Sequence, residues 1–344
     1  MFPTRWKAVC AATIALFLLI EFGTTRSRVD AKIVFSSKRN GDTDYHIYLM
    51  DDDGSNVERL TDPAFYDILP QWFPDGRHIL FERDHSRGNG SEENAEFYIF
   101  DLKTGKAETF MENHPTDSNP SLSPDGKYIA FNSERGGAAD IYVLNLETGD
   151  LKQLTDLGDR IGWAYRTDWS PDGHQIAYEL DVAPEGDNIW IMNANGNRKR
   201  RFTPLPKGPN IVFRGGPYWS PSGKYIMYRE SERTPDLQHR LTTTLIFQNV
   251  ETKLRRVHTF PKVSLVSPGC WMGSDETVLL AMKADYTDPF SNYEIYRYEV
   301  RSRQLTNLTH QPGGDYDPDW HAGPLSVSPV EKLTTLWGEL KQTE

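Results

Sequence analysis

Cysteine is almost absent from this 344-residue chain, where Cys10 and Cys270 are the only two. Cys10 lies inside an N-terminal apolar run, not just after it where a lipid-modified cysteine would be expected. A processed, exported chain would keep Cys270 alone and have no intramolecular disulfide, so packing must supply its stability. Basic charge is also short: 38 Lys and Arg stand against 49 Asp and Glu, a net of −11. Phosphate contacts need a basic face, so nucleic acid is not an expected partner. Long hydrophobic runs are missing except for the 13 residues Ala8 to Ile20, which follow Arg5 and Lys7 and end at Glu21. A membrane-spanning helix needs roughly 20 apolar residues. Residues 1 to 31 are therefore expected to be a cleaved export signal, with an uncleaved N-terminal anchor as the alternative. Either reading puts the rest of the chain in a periplasmic or extracellular space, touching membrane only through that segment if it is kept.

The chain is rich in 26 Gly, 22 Pro, 16 Phe, 16 Tyr and 9 Trp, a mix that suits short strands and tight turns and excludes a disordered chain. Length alone suggests about two domains, but an internal repeat points to one. Trp72-Phe73-Pro74-Asp75-Gly76, Leu122-Ser123-Pro124-Asp125-Gly126, Trp169-Ser170-Pro171-Asp172-Gly173 and Trp219-Ser220-Pro221-Ser222-Gly223 share a pattern. Trp271-Met272-Gly273-Ser274-Asp275 keeps the Trp but not the Pro, and Asp315 to Trp320 keeps only the approach to the Trp. Counted from the Trp or Leu, the intervals are 50, 47, 50, 52 and 49 residues, the period of propeller blades. In each turn Pro presets φ, Asp can bond its own backbone and Gly accepts a positive φ, so two antiparallel strands are joined. Runs such as Tyr128-Ile129-Ala130-Phe131 and Tyr225-Ile226-Met227-Tyr228 are apolar at successive positions, as in strands covered on both faces. Four strands per period, with no long amphipathic helix between them, give an all-β fold: a six-bladed β-propeller of four-stranded antiparallel blades over residues 32–323. The first unit, at Ile33 to Phe35, lacks an inner strand, while Asp315 to Trp320 is an inner strand without a blade. The C-terminal strand should complete blade one and close the ring. Residues 324–344 form a tail in which Leu333, Leu336, Trp337 and Leu340 could share one face of a short helix.

The W-S-P-D-G turn, the apolar strand after it, the D-I-Y strand and a closing Q-L-T or R-L-T (Gln153-Leu154-Thr155, Arg59-Leu60-Thr61, Gln304-Leu305-Thr306) resemble the WD-type propeller repeat of the TolB family. The resemblance covers Lys32 to Trp320. It extends to the propeller part alone, because no α/β domain like the one ahead of the TolB propeller fits between residue 31 and the first strand. What it implies is a periplasmic, protein-binding propeller.

Connections Glu82 to Glu96, Arg229 to Arg240 and Lys283 to Asn292 read as long loops on one face, where recognition usually resides. The residue five before each register mark should sit at the channel mouth on that face: Asp67, Asp117, Ala164, Arg214, Val266 and Asp315. Tyr66, Trp163 and Phe213 lie beside them. Such an acidic, aromatic-rimmed opening could hold a cationic peptide segment, a metal or a sugar; alternatively, each Asp only bonds loop amides and fixes its turn. The leading expectation is an exported, monomeric, non-enzymatic scaffold with no cofactor that binds a protein or peptide at Asp67, Asp117, Asp315, Arg214, Tyr66, Trp163 and Phe213. The alternative is a metal-assisted, carbohydrate-active enzyme resembling the oligogalacturonide lyase propellers, with His114 and His310 at the metal. No zinc-type spacing occurs among the nine histidines, and no G-x-S-x-G hydrolase segment follows Trp320. Asp51-Asp52-Asp53-Gly54 and Arg198-Lys199-Arg200-Arg201 read as hairpin turns. Asn89-Gly90-Ser91 and Asn307-Leu308-Thr309 match the glycosylation sequon.

Overall fold

A computed structural model describes residues 31–323 apart from 40, 86–94, 112–113, 159–161, 183–186, 207, 237–239 and 262–263. The expected export signal, the C-terminal tail and the sequon at Asn89 lie outside the described residues. In chain order the strands are β1 (Lys32–Ser37), β2 (His46–Asp51) and β3 (Glu58–Arg59); β4 (Tyr66–Trp72), β5 (His78–Asp84), β6 (Ala95–Asp101) and β7 (Lys106–Thr109). Blade three holds β8 (Ser118–Leu122), β9 (Tyr128–Ser133), β10 (Asp140–Asn145) and β11 (Leu151–Gln153), and blade four β12 (Gly162–Trp169), β13 (Gln175–Val182), β14 (Asp187–Asn193) and β15 (Arg200–Arg201). Blade five holds β16 (Ile211–Trp219), β17 (Tyr225–Arg233), β18 (Arg240–Asn249) and β19 (Arg255–Phe260). Blade six holds β20 (Leu265–Trp271), β21 (Thr277–Lys283), β22 (Tyr293–Glu299) and β23 (Leu305–Asn307), and β24 (Asp315–His321) follows.

These strands form six four-stranded antiparallel sheets among the described residues, and none of those residues is in a helix. β24 pairs with β1, matching Trp320 to Ile33 and Asp315 to Ser37, so the last strand is the innermost of blade one as the end fragments implied. Apolar clusters fill the spaces between neighbouring sheets. One unites Phe97 of blade two with Phe131 and Tyr142 of blade three, and another joins Phe35 and Tyr48 of blade one to Leu279 and Ile295 of blade six. Strands apolar at successive positions thus serve two such layers at once.

The repeated turn residues act locally. Ser123 and Ser170 hydroxyls donate to Asp125 and Asp172 at 2.6 Å and accept the N–H of Tyr128 and Gln175 at 2.9 Å. The following Gly126 and Gly173 have φ of 69° and 70°, conformations that an L side chain would strain. At the blade end, Thr61, Thr155 and Thr203 accept the N–H of Ile47, Ile141 and Ile189. In blade six this part is played by Thr309, which accepts Ile295 N–H at 2.9 Å; the Gln304-Leu305-Thr306 match is out of register by three residues. The sequon threonine is therefore a buried blade closure, with Asn307 bonded to Glu294 beside it.

Two of the expected loops begin within a strand. β5 runs through Glu82 to Asp84, and β17 carries Arg229 to Arg233. Alternating side chains continue the ladder there, where short apolar runs had marked its end.

Candidate functional site

The mouth aspartates are present where the register placed them, and each is held by an arginine of its own blade. Asp67 takes Arg83 in a two-point pair, Nε to Oδ1 at 2.7 Å and Nη2 to Oδ2 at 2.9 Å. Arg135 reaches Asp117 at 2.5 Å, while Arg39 and the Ser37 hydroxyl reach Asp315 at 2.9 and 2.5 Å. All three carboxylates are fully buried. Their arginines lie over aromatic rings: Arg83 is 4.1 Å from the Phe65 centroid and 4.6 Å from that of Tyr98. Asp117 also accepts the His114 N–H at 3.0 Å, the loop-fixing role that competed with the ligand reading. Blade five keeps the device with its charges exchanged, Arg214 donating to Glu230 at 2.7 Å and to Asn188 at 2.9 Å. Ala164 faces Leu180 and Val266 faces Met282, so blades four and six replace the pair by apolar contacts.

The three aspartates expected at the opening are thus each ion-paired to an arginine. Asp67 is matched at both oxygens, Asp117 Oδ1 and Asp315 Oδ2 have no hydrogen-bond partner among the described residues, and Arg214 is engaged by Glu230 and Asn188. Aromatic residues remain available. Trp163 stands on β12 with 59% of its surface exposed. Tyr66 belongs to a cluster that the sequence did not reveal: its ring meets Tyr45 edge-on at 5.8 Å, Tyr45 meets Tyr316 at 5.6 Å, and Tyr293 lies 4.5 Å from Tyr316. Burial pushes the Tyr66 phenol up to about 12 and raises those of Tyr45 and Tyr316, so these three are neutral at physiological pH. Tyr45, Tyr293 and Tyr316 line a cavity of about 500 Å³ with Lys38 and Lys283. Equivalent places two residues before Ile47 and Ile295 were the available signal. Phe213 lies under the Arg233 guanidinium, 5.8 Å from ring centroid to carbon.

Inside the ring, the inner strands bulge three residues before the register mark. Leu69, Asn119, Arg166, Gly216 and Asp317 there have φ between 48° and 64°. The bulge frees a backbone N–H from the ladder, and the neighbouring blade uses it: Ser36 accepts Leu69 N–H, Glu82 accepts Asn119 N–H and Glu179 accepts Gly216 N–H, each at 3.1 Å. A second ring, one residue before the mark, clasps blade to blade. Asp319 accepts Trp72 N–H at 2.8 Å, Gln71 accepts Leu122 N–H at 3.0 Å and Asp168 accepts Trp219 N–H at 2.6 Å. Burial raises these channel acids, Asp168 to about 8, Glu179 to about 7, and Asp317 and Asp319 to about 6, with Arg166, 3.7 Å away, opposing the rise at Glu179. The channel cavity is about 140 Å³, a polar seam between blades more than a ligand chamber. A larger cavity of about 730 Å³ lies at the other end of the ring, among turn residues such as Pro124, Tyr128, Trp169 and Pro171.

His114 bonds Thr116 at 2.9 Å and His310 is exposed. Among the described residues no three His, Cys, Asp or Glu side chains come together around a metal position. Cys270 is a free thiol that burial pushes well up. Asp51 to Gly54 and Arg198 to Arg201 lie at hairpin turns, as read from the sequence.

Residues 87–234 match the TolB beta propeller domain. The chain is 29% identical over 139 residues to an uncharacterized peptidase, YuxL, of Bacillus subtilis (strain 168), covering 40% of this chain and 20% of that one. It is 33% identical over 184 residues to the Tol-Pal system protein TolB of Francisella tularensis subsp. tularensis (strain WY96-3418), covering 43% and 40%. The chain thus spans less than half the length of the curated relatives it matches. Among solved structures, TolB from Acinetobacter baumannii superposes with a TM-score of 0.66 at 20% identity over 85% of this chain and 67% of that one. An oligogalacturonate lyase in complex with manganese follows at 0.56 and 13%, covering 81% and 74%. At these identities structural likeness speaks for fold alone. Repeat, ring closure and sequence likeness together make this chain a TolB-like six-bladed β-propeller.

Proposed function

We propose that this propeller is an exported, non-enzymatic scaffold that binds a protein or peptide segment at the mouth of the ring. The observation that carries the reading is Trp163, a large aromatic held 59% exposed on an inner strand at the same end as the tyrosine cluster. An exposed tryptophan on rigid backbone loses little conformational entropy on binding and is the residue type most often found at the energetic centre of an interface. Tyrosines add amphipathic contact area beside it. Export rests on Arg5, Lys7 and the apolar run to Ile20, and the likeness to a Tol-Pal system protein supports a protein ligand over a sugar.

A photo-crosslinking residue placed at Trp163, and separately at Asn195 beside the opposite cavity, tests the reading in producing cells. Adducts of discrete mass should form from position 163 and be competed by purified propeller but not by its Trp163→Ala variant. Equal adducts from both positions, or none from 163, would overturn it.

A further inference from the structure

Blade five differs from blades one to three in where its arginines go. The stretch Arg229-Glu230-Ser231-Glu232-Arg233 lies within β17, so its side chains alternate between two faces. Glu230 and Glu232 share one face and are both engaged, Glu230 by Arg214 and Arg255 and Glu232 by the Asn210 amide at 2.6 Å. Arg229, Ser231 and Arg233 share the other. Among the described residues neither guanidinium donates a hydrogen bond or comes within ion-pair distance of a carboxylate. The Arg229 Nε is buried without a partner. Gly215, directly opposite Arg229, has no side chain to offer it.

These residues line a cavity of about 330 Å³ with Phe213, Thr243, Leu265, Val266 and Asp187. Thr243 is 2% exposed, and its hydroxyl has no hydrogen-bond partner. Asp187 is the one acid on the wall, and it already accepts the Tyr165 hydroxyl at 3.3 Å. Two guanidiniums against one carboxylate leave the cavity with an excess of one positive charge. Arg229 interacts with the Asp187 charge, so among the described residues Arg233 is the guanidinium left without a carboxylate, and a cation half-removed from water is costly unless something supplies the counter-charge. Guanidinium forks fit a carboxylate by two parallel hydrogen bonds, a hydroxyl can donate a third, and the Phe213, Leu265 and Val266 wall suits an aliphatic stem.

We infer that this cavity between blades five and six holds the carboxylate of an acidic side chain, a glutamate by its apolar wall, from the bound protein or peptide. The inference rests on the scaffold reading above for its ligand, while the cavity chemistry stands on Arg229, Arg233 and Thr243.

The test uses the full chain and N-acetyl-L-glutamate N-methylamide as probe, followed by NMR at the arginine Nε–H resonances, with N-acetyl-L-glutamine N-methylamide and succinate as comparison ligands. The glutamate probe should move the Arg229 and Arg233 signals saturably. Binding should weaken at least about tenfold in Arg229→Gln with Arg233→Gln, as expected when charge-assisted bonds are lost. Thr243→Val, nearly isosteric, should weaken it by a smaller factor with the melting temperature kept. Equal binding of the glutamine probe, or unchanged binding in the double variant, would overturn the carboxylate site. Tighter binding of succinate would overturn the peptide source in favour of a free dicarboxylate. Crosslinks from position 163 that persist when the glutamate probe fails to bind would reject this inference and leave the scaffold reading standing. Probe binding without position-163 crosslinks would do the reverse.

Discussion

Replacing Asp67 by Val should damage the ring, and adding Arg83→Met should repair it. Asp67 is fully buried and its two oxygens are both taken by Arg83, itself nearly buried over Phe65, Phe81 and Tyr98. Asp67→Val alone leaves a guanidinium desolvated and unmatched, a change that costs about 3–5 kcal/mol. For a domain of this size that is a fall in melting temperature of roughly 5–8 °C. The double variant removes both charges and puts a flexible thioether on the aromatic rings that held the guanidinium. Its stability should return to within about 1 kcal/mol of the parent or exceed it. The chain itself argues for the repair, since at the same two positions blade six has Val266 facing Met282 and blade four has Ala164 facing Leu180. Thermal unfolding of the parent, both single variants and the double variant, followed by circular dichroism, measures the coupling. A double variant as unstable as the singles would refute the view that this pair is a replaceable blade fastener, and would return Asp67 to consideration for a role beyond the fold.

The buried channel acids set a pH dependence of definite sign. Asp168, Glu179, Asp317 and Asp319 stay protonated in the ring up to about 8, 7, 6 and 6, but ionise near their ordinary values of 3.8 to 4.5 when the chain unfolds. Between those limits the folded state binds more protons, so stability should fall as pH rises from about 5 to 9. Asp168→Asn, whose side-chain oxygen can still accept the Trp219 N–H, should flatten the upper part of that fall; a melting temperature level across the range, or an unchanged slope in the variant, would contradict the assignment. In blade six, Thr309→Val should cost about 1 kcal/mol by leaving the Ile295 N–H without its acceptor, whereas Thr306→Val should be close to neutral. Chemical denaturation of the two variants decides it, and the opposite order would restore the closing role to Thr306.

The fold was legible because most of the turns use the same chemistry. Pro and a Gly able to take positive φ recur near every fiftieth residue in four units, three of them with Asp between, and the incomplete first unit and orphan last strand complete each other with no further information. The site was less legible for a related reason. Register along one strand is written in the sequence, whereas the partner across the sheet is not. Asp67 could be placed at the mouth from its distance to Trp72, but that Arg83 cancels it depends on β5 continuing past its apolar run, and Glu82 to Asp84 read as loop. The same shortening hid the alternation from Arg229 to Arg233. Once those five residues are strand, their charges sort by face: the glutamates go to partners within the protein, and the arginines are left facing the cavity. A net charge of −11 is thus compatible with a local excess of positive charge at one point of the mouth. What a ligand meets there is decided by which charges the blades have already used: Asp67 is held at both oxygens by Arg83, whereas Asp117 and Asp315 are ion-paired but each keep one buried oxygen without a hydrogen-bond partner among the described residues.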